Sequence, residues 1–285
     1  MIFTLIFIVL ADLITISQQS VLNEDHNEND PSSEDEFPLI PMIFNGTSVE
    51  TDSREFKYYV SIHHQVNGEL DLVCGGIIYK PTIIISSSVC VDGLEFDKTF
   101  IRPNYDNSIK LLDIEKYFPV KEIVFHLNPH GYIDYDYDIC LIQLTKPIQF
   151  DDSIGPINLP DEQYEPGIDL VTMGFGEIDR LTPTLELKKI TLTLRSDDYC
   201  DQRINDFLPT LTICAGIEAL GGACLGDGGG PLVHIENDRH ILVGIISSGF
   251  ECGSRIKPNV FVNVFHFVDW IKEQSENLID QKHYH

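Results

Sequence analysis

From residue 43 onward the hydrophobic positions come in short runs broken by turn residues. Tyr59-Val60-Ser61-Ile62, Gly76-Ile77-Ile78, Ile139-Cys140-Leu141-Ile142 and Ile241-Leu242-Val243-Gly244-Ile245-Ile246 are strand-length and rich in β-branched side chains, with Gly, Pro, Asn and Asp between them. This pattern predicts short antiparallel strands closed into a sandwich or barrel, an all-β fold class. The last segment is different. Between Val264 and Leu278 the apolar residues Phe267, Val268, Ile271 and Leu278 recur near helical spacing, which predicts a C-terminal amphipathic helix.

The first 42 residues carry other signals. Residues 1–10 read MIFTLIFIVL, an apolar run too short to span a bilayer, and Thr15, Ser17 and Gln18 follow it. We read residues 1–17 as a signal peptide, although no Lys or Arg occurs before Arg54. Residues 18–42 hold the acids Glu24, Asp25, Glu28, Asp30, Glu34, Asp35 and Glu36 among Asn, Ser and Pro, the composition of a disordered, propeptide-like arm. Residues 43–285 are then the folded domain of a secreted, extracellular protein.

Composition narrows the partners. Among 285 residues, 43% hydrophobic and 10% aromatic, there is enough apolar material for a sizeable core. The chain carries 45 acids against 19 Lys and Arg, a net charge of -26. Nucleic-acid affinity comes largely from cations neutralising phosphates, so nucleic acid is excluded as a partner, and anionic membranes are disfavoured for the same reason.

Seven cysteines in a secreted chain leave one over, or paired outside the chain. No Cys-x-x-Cys pair occurs and no histidines cluster beside the cysteines, so the reading is a structural disulfide set with no metal and no cofactor. The alternating Asp134, Asp136 and Asp138 supply only part of the six to eight oxygens of a calcium site and read as a solvated loop.

The motifs are similar to those of one family. Cys224-Leu225-Gly226-Asp227-Gly228-Gly229-Gly230-Pro231-Leu232 resembles the nucleophile loop of chymotrypsin-like serine proteases, which reads Cys-x-Gly-Asp-Ser-Gly-Gly-Pro-Leu. In the family's order, Ile43-Phe44-Asn45-Gly46 resembles the activated amino terminus, and Cys74-Gly75-Gly76 the strand leading to the catalytic histidine. Tyr137-Asp138-Ile139-Cys140-Leu141 resembles the segment of the catalytic aspartate. Pro258-Asn259-Val260-Phe261 and Val268-Asp269-Trp270-Ile271 resemble the closing strand and terminal helix. The resemblance covers nearly all of residues 43–285. It implies two packed antiparallel six-stranded β-barrels with the site in the cleft between them, followed by the helix.

Acyl transfer needs a nucleophilic hydroxyl, a base beside it, a carboxylate to orient the base, and N–H donors for the oxyanion. By the resemblance, Gly228 stands where the serine belongs, and in Ser86-Ser87-Ser88-Val89-Cys90 the histidine is replaced by Val89. Asp138 remains, with Ser247 as its supporting serine, and Gly226 and Gly228 retain the oxyanion-hole N–H groups. None of the ten histidines lies in the segment before Cys90; His63 and His64 are expected at the rim. The pocket base is Gly222, Asn259 projects a side chain where glycine is usual, and Ser248 replaces a wall residue that is commonly tryptophan. The strand Ser247-Ser248-Gly249 retains main-chain groups for pairing with an extended peptide.

The resemblance also implies the bridges Cys74–Cys90, Cys200–Cys214 and Cys224–Cys252, with Cys140 left as a buried free thiol. Leu170 and His234 occupy the ends of a further trypsin bridge that is absent. Asn45-Gly46-Thr47 is the only glycosylation sequon. The expected function is that of a catalytically inactive serine protease homologue acting by protein binding, as regulator, cofactor or decoy in an extracellular proteolytic cascade. Its partner would be an active serine protease or that protease's substrate. The alternatives are a component of a venom, salivary or seminal secretion without a protease partner, or a residual endopeptidase with unorthodox residues.

Zymogens of this family are usually cut after Arg or Lys, which frees an amino group to pair with the residue matching Asp227. Here Met42 precedes Ile43. The mature protein is therefore expected to keep its acidic arm, and amino-terminal sequencing that begins at Ile43 would overturn that expectation.

Overall fold

In the computed structural model of the chain, residues 43, 46–50, 54–103, 116–128, 130, 131, 133, 135–175, 186–216, 222, 223, 226–247 and 257–280 are described. All fall within one compact unit, residues 40–285. The predicted strands are there. β1 is Thr47–Ser48, β2 Tyr59–Val66, β3 Glu69–Lys80, β4 Ile83–Ser86, β5 Thr99–Pro103, β6 Phe118–Phe125 and β7 Cys140–Leu144. After these come β8 Asp169–Gly174, β9 Lys188–Thr193, β10 Thr212–Ala215, β11 Pro231–Glu236, β12 Arg239–Ile246 and β13 Asn259–Asn263. The helices are α1 Ser88–Val91, α2 Asp197–Asp201 and α3 Val264–Asp280.

Two hairpins show how the sequence forces these strands. Asn67 and Gly68 join β2 to β3 at φ of 54° and 88°, and Asn237 and Asp238 join β11 to β12 at 49° and 63°. Paired positive φ values twist a two-residue turn in the sense of the strands that flank it, and Asn, Asp and Gly reach that region at least cost.

The first six full strands close into a barrel of order β2-β3-β4-β7-β6-β5, sealed where Val60 to His64 of β2 pair with Pro103 to Thr99 of β5. Its core is aliphatic, with Ile62, Ile77, Ile84, Ile101 and Ile142 fully buried. The second sheet has seven strands in the order β1-β9-β8-β11-β12-β13-β10. The resemblance implied six. The two-residue β1 is an appended strand, and among the described residues β9 and β10 meet only at one end. There Leu194 bridges Ala215, Arg195 N–H donates to Cys214 O at 3.0 Å, and Gly216 N–H donates to Thr193 O at 3.1 Å. The architecture is a closed barrel and a half-barrel sheet stitched along one short seam, followed by the predicted helix.

Helix α3 ties the chain's end back to the first barrel. It buries Val264, Phe267, Val268, Ile271 and Leu278, while the buried Gln143 of β7 donates from Nε2 to Leu278 O at 2.6 Å. His126 stacks on Tyr137 with centroids 5.3 Å apart, and Phe267 and Trp270 of α3 lie at 5.1 and 5.0 Å from it. No helix among the described residues is long and apolar enough to cross a membrane.

The expectation for His63 fails. It is 1% exposed because β2 runs on through it, paired to Leu72 of β3 and Phe100 of β5, so it belongs to the barrel wall. Its Nε2 lies 2.9 Å from Ser61 Oγ, and Tyr117 stands edge-on at 5.1 Å. His64, by contrast, is half-buried with Nδ1 3.2 Å from Thr99 Oγ1.

Burial, reinforced by the Arg102 guanidinium, lowers the His63 pKa to about 3. The folded protein thus keeps this ring neutral where the unfolded chain, titrating at about 6.5, has already bound a proton. Its contribution to stability is complete above that pH and is lost as pH falls from about 6.5 towards about 3, at up to about 1.4 kcal/mol for each pH unit. Urea denaturation of wild type and His63→Leu at pH 7 and pH 4 should show the wild type losing several kcal/mol more on acidification. Equal losses in the two proteins would refute the assignment.

Candidate functional site

The cleft is built on a buried acid. Asp138, fully buried at the entrance to β7, accepts from three donors contributed by both sheets. Ser87 Oγ donates to Oδ1 and Oδ2 at 2.7 and 2.8 Å, Val89 N–H to Oδ1 at 2.7 Å, and Ser247 Oγ to Oδ2 at 2.6 Å. The placement of Ser247 is the one the sequence implies. Ser87 was not anticipated.

Local sequence explains why Ser87 can serve. It is the N-cap of α1, extended at φ -79° and ψ 134°, and its oxygen accepts from Cys90 N–H at 3.2 Å while its proton points to the acid. Its neighbours are equally committed. Ser86 Oγ donates to Gly75 O at 2.9 Å and Ser88 Oγ to Ile139 O at 2.6 Å, and all three serines are fully buried. A run of hydroxyls beside a cysteine was the available signal, since buried hydroxyls need partners.

Gly228 sits on the far side, where Gly75 N–H donates to its carbonyl at 2.8 Å and so stitches the two sheets together. A Cβ placed on Gly228 would come within 3.2 Å of Cys90 Sγ. Gly229 is different, because at φ 78° a Cβ there would strike Ser86 Oγ and Gly75 O, so only glycine fits. Among the described residues no group engages the Gly226 or Gly228 N–H.

Six of the described histidines have side-chain contacts with residues other than Asp138, and the backbone N–H of a seventh, His130, donates to Asn128 Oδ1 at 2.9 Å. His63, His64 and His126 have the partners given above, His240 meets Tyr58 Oη at 2.8 Å through Nδ1, His234 lies 4.9 Å from Tyr164, and His266 lies 4.9 Å from Phe267. Val89 and Gly228 themselves carry neither a proton acceptor nor a hydroxyl.

The pocket region is occupied from within. Asn259 at the start of β13 accepts through Oδ1 from Ala223 N–H at 2.9 Å and lays its amide across Gly222, so closely that a Cβ on Gly222 would overlap it. Its Nδ2 also lies 3.4 Å from the Cβ position of Gly216. Asp227 is fully buried and packed against Gly174 at the end of β8. Burial, and then the Asp227 carboxylate, hold the Tyr59 phenol well above its ordinary pKa, so that carboxylate is not isolated. Ile43 is 1% exposed.

Among the described residues two disulfides are formed, Cys74–Cys90 and Cys200–Cys214. Cys140 is a free, buried thiol, raised well above its usual pKa by burial and by Asp138, and it points to Ser87 O at 3.5 Å. Met42, Asn45, Cys224, Ser248, Gly249, Cys252 and Asp134 lie outside the described residues.

Comparison with known proteins agrees with this architecture. Residues 43–271 match the family described as Trypsin. Over 232 residues the chain is 31% identical to Trypsin-1 of Astacus astacus, a match covering 78% of this chain and 95% of that protein. With the closed barrel, the half-barrel sheet, the closing helix and the acid at residue 138 in place, the chain belongs to the trypsin family.

Proposed function

We propose that this trypsin-family domain is secreted and catalytically silent, and that it acts by binding an extracellular protein or peptide as a regulator, cofactor or decoy. The observation that carries the reading is the state of Asp138. In an active triad the acid orients an imidazole; here Ser87 Oγ donates to both carboxylate oxygens, at 2.7 and 2.8 Å. Losing the nucleophile or the base alone costs about a million-fold in turnover, and this chain lacks both side chains at the positions that supply them.

The remaining features fit binding better than turnover. The Gly226 and Gly228 N–H groups can hold a carbonyl without attacking it. The Asn259 amide across Gly222 supports a closed pocket that does not select a deep side chain. The direct test is an active-site-directed fluorophosphonate on the folded protein. No covalent labelling is expected, and stoichiometric labelling would overturn the reading.

Ser87 adds a second expectation. An imidazole restored by Val89→His would have to compete with Ser87 for an acid that already accepts from Ser87, Val89 and Ser247. The acid's hold on the base is worth about four orders of magnitude in rate. Val89→His/Gly228→Ser should therefore label with fluorophosphonate at least about tenfold more slowly than the same variant carrying Ser87→Ala. Equal rates in the two variants, each checked for folding by thermal melting, would show that Ser87 does not hold the acid away from the base.

A further inference from the structure

The second sheet carries a groove whose charge and shape point to one kind of occupant. It runs between residues 160–163, the exposed turn at Pro209 and Thr210, and the first turns of α3, with a volume of about 750 Å3. Buried Pro160 and Val268 line its apolar part, and Phe265 stands 39% exposed at its edge. A small apolar recess continues from Pro160 and Phe265 to Leu194, Ile213 and Val243.

Three carboxylates, Asp161, Asp197 and Asp269, face this groove from three different segments, and all are exposed. Among the described residues the ion pairs are Arg54–Asp152, Lys98–Glu95 and Lys189–Glu55, so none neutralises these acids. Opposing them are Lys272, His266 and the α3 N-terminus, the last worth about half a positive charge. Even with His266 counted as a full positive charge, three negative charges outweigh about two and a half positive ones. The groove attracts cations.

Charge also selects among occupants. The chain's own arm, residues 18–42, holds seven acids and no Lys or Arg, and a second copy would bring a further net charge of -26. We infer that the groove docks an extended cationic segment of a partner protein, an aliphatic side chain packing on Pro160, Phe265 and Val268 while Arg or Lys side chains face Asp161, Asp197 and Asp269. This names the chemistry of a partner for the binding role above and rests on that reading only for its biological setting. None of its residues belongs to the Asp138 and Gly228 cleft, so fluorophosphonate labelling and groove binding can fail independently.

The probe is a fluorescein-labelled heptapeptide alternating Leu and Arg, titrated with the full chain by fluorescence anisotropy at low and physiological salt. Asp161→Asn/Asp197→Asn/Asp269→Asn should weaken binding at least about tenfold. Glu69→Gln/Asp71→Asn/Asp97→Asn, which removes the same charge from exposed positions of the first barrel, should change it less than about twofold. Phe265→Ala should weaken it as well, with circular dichroism unchanged in every variant. Absence of binding by wild type, equal effects of the two triple variants, or equal binding of the Leu-Glu heptapeptide overturns the proposal. A wild-type dimer in sedimentation velocity that Phe265→Ala dissolves would assign the groove to a second copy and overturn it too.

Discussion

A carboxylate buried between two sheets has to be hydrogen-bonded on every side, and that requirement at Asp138 organises the middle of this protein. Desolvating an ionised acid costs several kcal/mol unless donors replace the lost water. The first barrel supplies Ser87 Oγ and Val89 N–H, the second supplies Ser247 Oγ, and the Gly75 to Gly228 hydrogen bond crosses the same seam. Retention of the acid in this chain then has a structural cause. Removing it would strand three donors, the buried hydroxyls of Ser87 and Ser247 and the half-buried Val89 N–H, and the seam between the sheets would lose its central contact. An acid kept for packing and an acid kept for catalysis look alike in the sequence; their partners distinguish them.

Much of the fold was legible because strand length, β-branching and turn residues are local properties. The runs at Tyr59, Gly76, Ile139 and Ile241 all lie within or at the edge of strands, and the helix ends within two residues of its expected limit, at Asp280. The division into a fully closed barrel and a half-barrel stitched at Leu194 and Ala215 was not legible, because closure depends on pairings between segments far apart in the chain. His63 shows the same limit. The family resemblance placed this histidine at the rim, and only the pairing of β2 on both sides, with Tyr117 edge-on to the ring, accounts for its burial.

The site divides along the same line. Val89 and Gly228 were singled out in the sequence because a motif resemblance assigns their positions. The role of Ser87 was not, because it depends on the capping geometry of a four-residue helix. An N-cap serine ordinarily spends its oxygen on the helix N–H groups and leaves its proton free to turn outward. Here that proton meets a buried acid 51 residues away in sequence. Asn259 is intermediate. Its identity signalled an obstruction, but the bond from Ala223 N–H shows that the amide is held across Gly222 by the wall of the pocket itself.

These placements shift where recognition can reside. Asp138 accepts from Ser87, Val89 and Ser247, Val89 is apolar, and the Asn259 amide oxygen accepts from Ala223 N–H. The rest of the chain carries a large excess of carboxylates, three of them in an open groove beside α3 with no compensating ion pair among the described residues. Long-range attraction and orientation of a partner come from unbalanced surface charge. On the proposed reading, such a domain would draw its partners to the groove beside α3, and the seam around Asp138 would serve chiefly to keep the two sheets together.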